Sequence, residues 1–180
     1  MKVLFIPGSL RKESFNFKLL KMAADHLGCD QDSIIPADAM NLPLYSGDIE
    51  SAGIPELVQE LAFKVQQADA IIIASPEYNY SISGVLKNFI DWVSRVRPMP
   101  LSAKPILLMA ASPSNIQGIR GLWHARVPLE GLGNYVHPKM FSVGDCFNAF
   151  EDNQFKQDSV NVQFTAILDD FIAYAKKIAE

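Results

Sequence analysis

Short aliphatic runs alternate with stretches of helical periodicity from one end of the chain to the other. Lys2–Ile6 reads as a buried strand stopped by Pro7-Gly8, and Leu19, Leu20, Ala23, Ala24 and Leu27 then form a helical stripe closed by Gly28. Ser33–Ala37 reads as a weaker strand. Residues 39–53, which include Pro43, Gly47 and Gly53, read as a loop. Pro55 suits a first helical turn ahead of the apolar face of Leu57, Val58, Leu61, Ala62 and Val65. Ala70–Ala74 is apolar on both faces, as a central parallel strand is. Ile82, Val85, Leu86, Phe89, Ile90 and Val93 follow at helical spacing, and Ile106–Ala110 forms the next strand. A weaker helix over 118–129, a strand near Val136–Val143 and a closing helix through Phe164, Leu168, Phe171, Ile172, Ala175 and Ile178 complete the pattern.

Strands that alternate with helices predict an α/β fold, because parallel strands need crossover connections and the right-handed rule places helices on both sheet faces. The expected architecture is a flavodoxin-like, doubly wound, five-stranded parallel sheet of order 2-1-3-4-5, with residues 1–180 as one domain. Ligands of such sheets bind beyond the carboxyl ends of the strands. That singles out the loops Pro7–Asn16, Ser75–Ser83 and Ala111–Gly118.

Composition narrows the class. A chain of 180 residues, 49% hydrophobic and 20% charged, has enough apolar side chain to fold without a metal or disulfide staple. Cys29 and Cys146 stand far apart, outside any CxxC spacing, and His26, His124 and His137 are isolated, so no metal site is expected. No run is long enough to cross a bilayer, and no signal-peptide core is evident; the expected compartment is the cytoplasm. The net charge of −4 argues against a nucleic-acid surface. Charge is nevertheless uneven: Lys2, Arg11, Lys12, Lys18 and Lys21 face only Glu13 within residues 1–24, leaving +4 there and −8 elsewhere. A basic start on an acidic body points to a local anion site.

The first loop, Gly8-Ser9-Leu10-Arg11-Lys12-Glu13-Ser14-Phe15-Asn16, fits that idea. It leads into a helix whose unpaired N–H groups and dipole attract anions, and Arg11 supplies a forked donor. It is neither a Walker A motif nor GxGxxG. Ser14 or Asn16 could equally serve as the N-cap of the helix. The second loop, Ser75-Pro76-Glu77-Tyr78-Asn79-Tyr80-Ser81, offers a rigid Pro, aromatic surface and backbone amides suited to a flat polar ring; Glu77 and Asn79 could instead satisfy turn amides.

Taken together, GSLRKESFN and PEYNYSISGVLKNFIDW resemble the NAD(P)H-dependent FMN reductase family, closest to its bacterial chromate and quinone reductase branch, over nearly the full chain. The resemblance implies that Ser9, Arg11, Ser14 and Asn16 hold the FMN phosphate with Phe15 at its edge. It implies that Pro76, Glu77, Tyr78 and Asn79 border the ring and ribityl groups, and that Ser112 lies beside the flavin. In the loop after the fourth strand Gly118 and Arg120 fit the family pattern, whereas Ser114 and Gln117 stand where the family tends to carry glycine. The implied activity takes a hydride from NAD(P)H onto bound FMN and passes electrons to a quinone, free flavin, azo or metal-oxyanion acceptor by a ping-pong mechanism. It requires no catalytic side chain and no metal. The family resemblance also implies a homodimer or homotetramer, with Phe89 and Trp92 as interface candidates. Two other readings are an FMN electron carrier serving a protein partner, disfavoured by Arg11 and the modest −4, and a flavin-free nucleotide-binding module.

Overall fold

The computed structural model describes residues 1–11 and 13–179. The chain runs through β1 (Val3–Pro7), α1 (Phe15–His26), α2 (Gly47–Ala52), α3 (Glu56–Gln67) and β2 (Ala70–Ala74). A hairpin of β3 (Glu77–Tyr78) and β4 (Ser81–Ile82) leads to α4 (Gly84–Val93), β5 (Pro105–Ala111) and α5 (Ile119–Gly131). Next come β6 (Tyr135–Val136), β7 (Phe141–Val143), α6 (Cys146–Ala149), a hairpin of β8 (Phe150–Glu151) and β9 (Gln154–Phe155), and α7 (Asp158–Ala179).

Every residue of β1, β2 and β5 is buried, so helices must cover both faces of the sheet. The strand period of two divides the side chains between the layers. Leu4, Ile6, Ile71, Ile73, Ile106 and Leu108 pack with Val58, Leu61, Leu86, Ile90 and Leu122 of α3, α4 and α5. Val3, Phe5, Ile72, Leu107 and Met109 pack on the other side with Leu19, Leu20, Phe164, Leu168 and Phe171 of α1 and α7.

All ladders of the central sheet are parallel: β1 pairs β2, β2 pairs β5, and β5 pairs both β6 and β7. The expected α/β layering holds, with two departures at the edges. The second strand is reduced to one parallel bridge, Ile34 to Phe5, on the outer side of β1. Its neighbours Gln31–Ser33 and Ala37–Met40 turn as 3-10 helices, and Pro36 between them has no N–H to give a ladder. The last strand is split. β6 lies beside Pro105 and Ile106, β7 beside Met109–Ala111, and Pro138 interrupts the segment between them.

The segment 39–53 is not wholly irregular, because it contains α2, capped by Ser46, whose Oγ accepts from the Asp48 N–H. Phe89 and Trp92 are not interface residues: they are 1% and 0% exposed within the chain itself. Trp92 Nε1 donates to the Pro43 carbonyl at 2.7 Å, and its ring meets Tyr45 edge-on. The helical face they belong to is the core stripe of α4.

Candidate active site

The loops after β1, β2 and β5 converge at the carboxyl ends of these strands. Gly8 lets the first two touch: a Cβ there would lie 2.4 Å from Ser75 Oγ and 2.8 Å from Ser75 Cα. Its N–H donates to the Ala74 carbonyl, and its carbonyl accepts from Ser83 Oγ at 2.7 Å. Ser83, fully buried, also caps α4 by accepting from the Leu86 N–H. One serine thus staples the first loop, the second loop and the helix behind them.

Ser14 is the N-cap of α1, its Oγ accepting from the Phe17 N–H at 3.3 Å. The first turn of α1 carries no acidic residue, so the positive end of its dipole is not offset from within the helix. Ser9, 3% exposed, accepts from the Arg11 N–H and tightens the loop. Asn16 is bonded within the fold, where its amide donates to the Ala111 carbonyl at 3.0 Å and accepts from the Ala111 N–H at 2.9 Å. This pair ties the start of α1 to the end of β5. Lys12, in the same loop, lies outside the described residues.

The β3–β4 hairpin forms the opposite wall. Asn79 and Tyr80 take φ of +48° and +66°, the left-handed pair of a tight hairpin turn. Asn tolerates this backbone; Tyr does so at a cost. Glu77 turns away from the hairpin toward α5. Its Oε1 accepts from Arg120 Nε at 3.0 Å and lies 3.0 Å from Nη2 of the same guanidinium, and its Oε2 accepts from the Gly121 N–H at 3.1 Å. Gly121 leaves room for this approach, since a Cβ would sit 3.0 Å from the Ser81 carbonyl. The Arg120 guanidinium lies over the Tyr80 ring, 4.2 Å from its centroid.

In the third loop, Ser112 Oγ accepts from the Ser114 N–H and meets Ser114 Oγ at 3.2 Å. Gln117 has φ of +64°, a backbone that glycine takes without strain. Its Oε1 accepts from Ser142 Oγ.

These loops enclose a cleft of about 470 Å³, a size suited to a small-molecule site. Ser9, Arg11, Ser14, Phe15, Asn16, Pro76, Glu77, Tyr78, Asn79 and Ser112, the residues singled out from the sequence, all line it. Tyr80, Ser114, Arg120, Cys146 and Phe147 line it too, and the sequence motifs do not single them out as site residues. Tyr80 adjoins Asn79, and Arg120 fits the family pattern together with Gly118, though the resemblance assigns it no role. Nothing local marks Phe147, 67% exposed on the far lip, where it meets Phe15 edge-on at 5.4 Å. Burial pushes the Cys146 thiol above its ordinary pKa, and Arg11 opposes this only in part. Among the described residues, no group of three or more His, Cys, Asp or Glu is placed to hold a metal. No described helix is long and apolar enough to cross a membrane.

Residues 1–148 match the family described as NADPH-dependent FMN reductase. The chain belongs to that family. An NAD(P)H-dependent FMN reductase of Pseudomonas aeruginosa is 41% identical over 154 residues, covering 84% of this chain and 82% of the relative. A quinone reductase of Escherichia coli K12 is 38% identical over 155 residues, covering 86% and 82%. The solved structure of FerB, a flavoenzyme NAD(P)H:(acceptor) oxidoreductase from Paracoccus denitrificans, superposes with a TM-score of 0.84 at 26% identity, covering 97% of each chain. As a member of this family the protein is an oxidoreductase, with FMN as its cofactor and NAD(P)H as its electron donor.

Proposed function

We propose that the protein reduces small-molecule acceptors of the quinone, free flavin, azo or metal-oxyanion type, with donor and acceptor taking turns in one cleft. The observation that carries this reading is the convergence of all the sequence-predicted site residues on that single cleft at the strand ends. FMN supplies the chemistry when bound, accepting a hydride and passing the electrons on.

The donor set fits that cofactor. A phosphate would find the N-terminus of α1, whose first turn holds no acidic residue, with Arg11 and Ser9 beside it. A flat ring would meet the wall of Pro76 and Tyr78, with Ser112 on the other side. Glu77 would shape this wall indirectly, because its carboxylate is committed to Arg120 and Gly121. Asn16 would hold the seat in place through Ala111, leaving its backbone as its more direct contribution. We take residues 1–180 to work as one domain in the cytoplasm, as a homodimer or homotetramer, with no nucleic-acid partner.

Two measurements test the reading. Arg11→Ala should weaken FMN binding by about 1.5–3 kcal/mol, the range of a charge-assisted hydrogen bond; an unchanged flavin titration would remove Arg11 from the phosphate seat. Double-reciprocal plots with NAD(P)H and a quinone should be parallel, and intersecting lines would mean that both substrates occupy the protein at once.

A further inference from the structure

We propose that Arg120 is the donor-specificity residue of the cleft, recognising a phosphate of the incoming nicotinamide nucleotide. The inference rests on the reading that NAD(P)H and FMN share this cleft. FMN has one phosphate, and the α1 seat with Arg11 accounts for it. A reduced nicotinamide dinucleotide brings a pyrophosphate, and NADPH a further 2′-phosphate. The cleft has a second arginine, on the wall contributed by α5, for which the flavin supplies no anion.

Arg120 is held as a recognition group. Glu77 Oε1 accepts from Nε at 3.0 Å and lies 3.0 Å from Nη2, so the ion pair holds one edge of the guanidinium and leaves its other donors for a ligand. Tyr80 supports its flat face at 4.2 Å. That tyrosine sits at φ +66°, a backbone state that persists in a bulky residue only where its surroundings enforce it. A forked donor clamped on one edge and one face loses little freedom when it meets an oxyanion.

The ion pair does not cancel the attraction. Glu77 also accepts from Gly121 in the first turn of α5, where the helix carries partial positive charge. One carboxylate therefore faces a guanidinium and a helix N-terminus, and the local balance stays positive. The arginine side chain is 39% exposed against 8% for Glu77, so the carboxylate is the buried anchor and the guanidinium the group a ligand can reach.

The test uses FMN-loaded wild type, Arg120→Ala and Arg120→Lys with four donors: NADPH, NADH, reduced nicotinamide mononucleotide and dihydronicotinamide riboside. Arg120→Ala should raise the KM for NADPH about tenfold or more, with kcat kept within about twofold. The KM for the riboside, which has no phosphate, should stay unchanged. Arg120→Lys should recover part of the loss, and added salt should shrink the difference between wild type and Arg120→Ala. A rise confined to NADPH identifies the 2′-phosphate; a rise shared with NADH and the mononucleotide identifies the phosphates common to them. Unchanged KM values for every donor, an equal rise for the riboside, or loss of FMN from Arg120→Ala would each overturn the assignment. A wild-type protein that holds FMN but oxidises none of the four would overturn the NAD(P)H reading itself, and this inference with it.

Discussion

At the scale of single residues, the site depends on side chains whose bonds reach across the fold. Asn16 is the clearest case, 4% exposed and bonded twice to the Ala111 backbone. Asn16→Ala would leave a buried N–H and a buried C=O unpaired. It should cost about 2–6 kcal/mol of stability, read from the denaturant midpoint, because each such orphan group costs about 1–3 kcal/mol. Cys146 illustrates the opposite situation, a nucleophilic atom made inert. A raised thiol pKa means less thiolate at a given pH, and the residue is 2% exposed. Near neutral pH Cys146 should therefore alkylate far more slowly than a free thiol, becoming fully reactive once the chain is denatured. Rapid labelling of native protein at Cys146, located by peptide mapping, would contradict that burial.

At the scale of elements, α7 shows how one helix is fixed to the sheet edge. Its inner face buries Phe164, Leu168 and Phe171, while Asp170 meets Lys139 at 2.8 Å and lies 3.5 Å from His137. The hydrogen bond from Lys139 holds the Asp170 carboxyl below its ordinary pKa, helped by the charge of Lys139 and by His137 and Lys177. A folded-state pKa below the unfolded one means a favourable contribution present at neutral pH and lost as pH falls below about 4. Asp170→Asn should thus lower the urea midpoint at neutral pH, and the gap to wild type should narrow as pH falls below about 4. Since this pair is exposed to solvent, salt should also narrow the gap. A gap that stays constant with pH would assign the effect to something other than charge.

At the scale of the whole molecule, the family match ends at residue 148, but the second core does not. Phe155, Phe164, Leu168 and Phe171 cover the sheet face formed by Phe5, Ile72, Leu107 and Met109. Each large side chain returned to water forfeits about 1.5–3 kcal/mol, and a whole domain is stable by only about 5–15 kcal/mol. A chain ended after Asn148 should therefore fail to fold, showing no cooperative thermal transition by circular dichroism and taking up no FMN. Cooperative melting of that fragment would mean that α7 is an accessory rather than half of a core.

The period of the hydrophobic pattern was enough to give the strand–helix alternation, the two-sided burial of Ala70–Ala74 and the loops that flank the cleft. These depend on residues within a few positions of each other and on the rule that such sheets bind ligands at their carboxyl ends. The edges of the sheet were less legible. The Ile34 segment and the interrupted stretch at Pro138 are decided by which N–H groups are left to pair, and an aliphatic run alone does not record that. The same holds for how the loops are used. Ser14 and Asn16 could each have been cap or ligand; packing made Ser14 the cap of α1 and gave Asn16 a partner 95 residues away. Glu77 and Arg120, 43 positions apart, meet only because α5 crosses behind the β3–β4 hairpin. By itself, then, the sequence determined the layering, the family and the loops that line the cleft, since all of these are written in local period and motif. Which side chains face a ligand and which hold the wall was left to the tertiary structure, because buried polar groups must find partners and the nearest ones in space are far away along the chain.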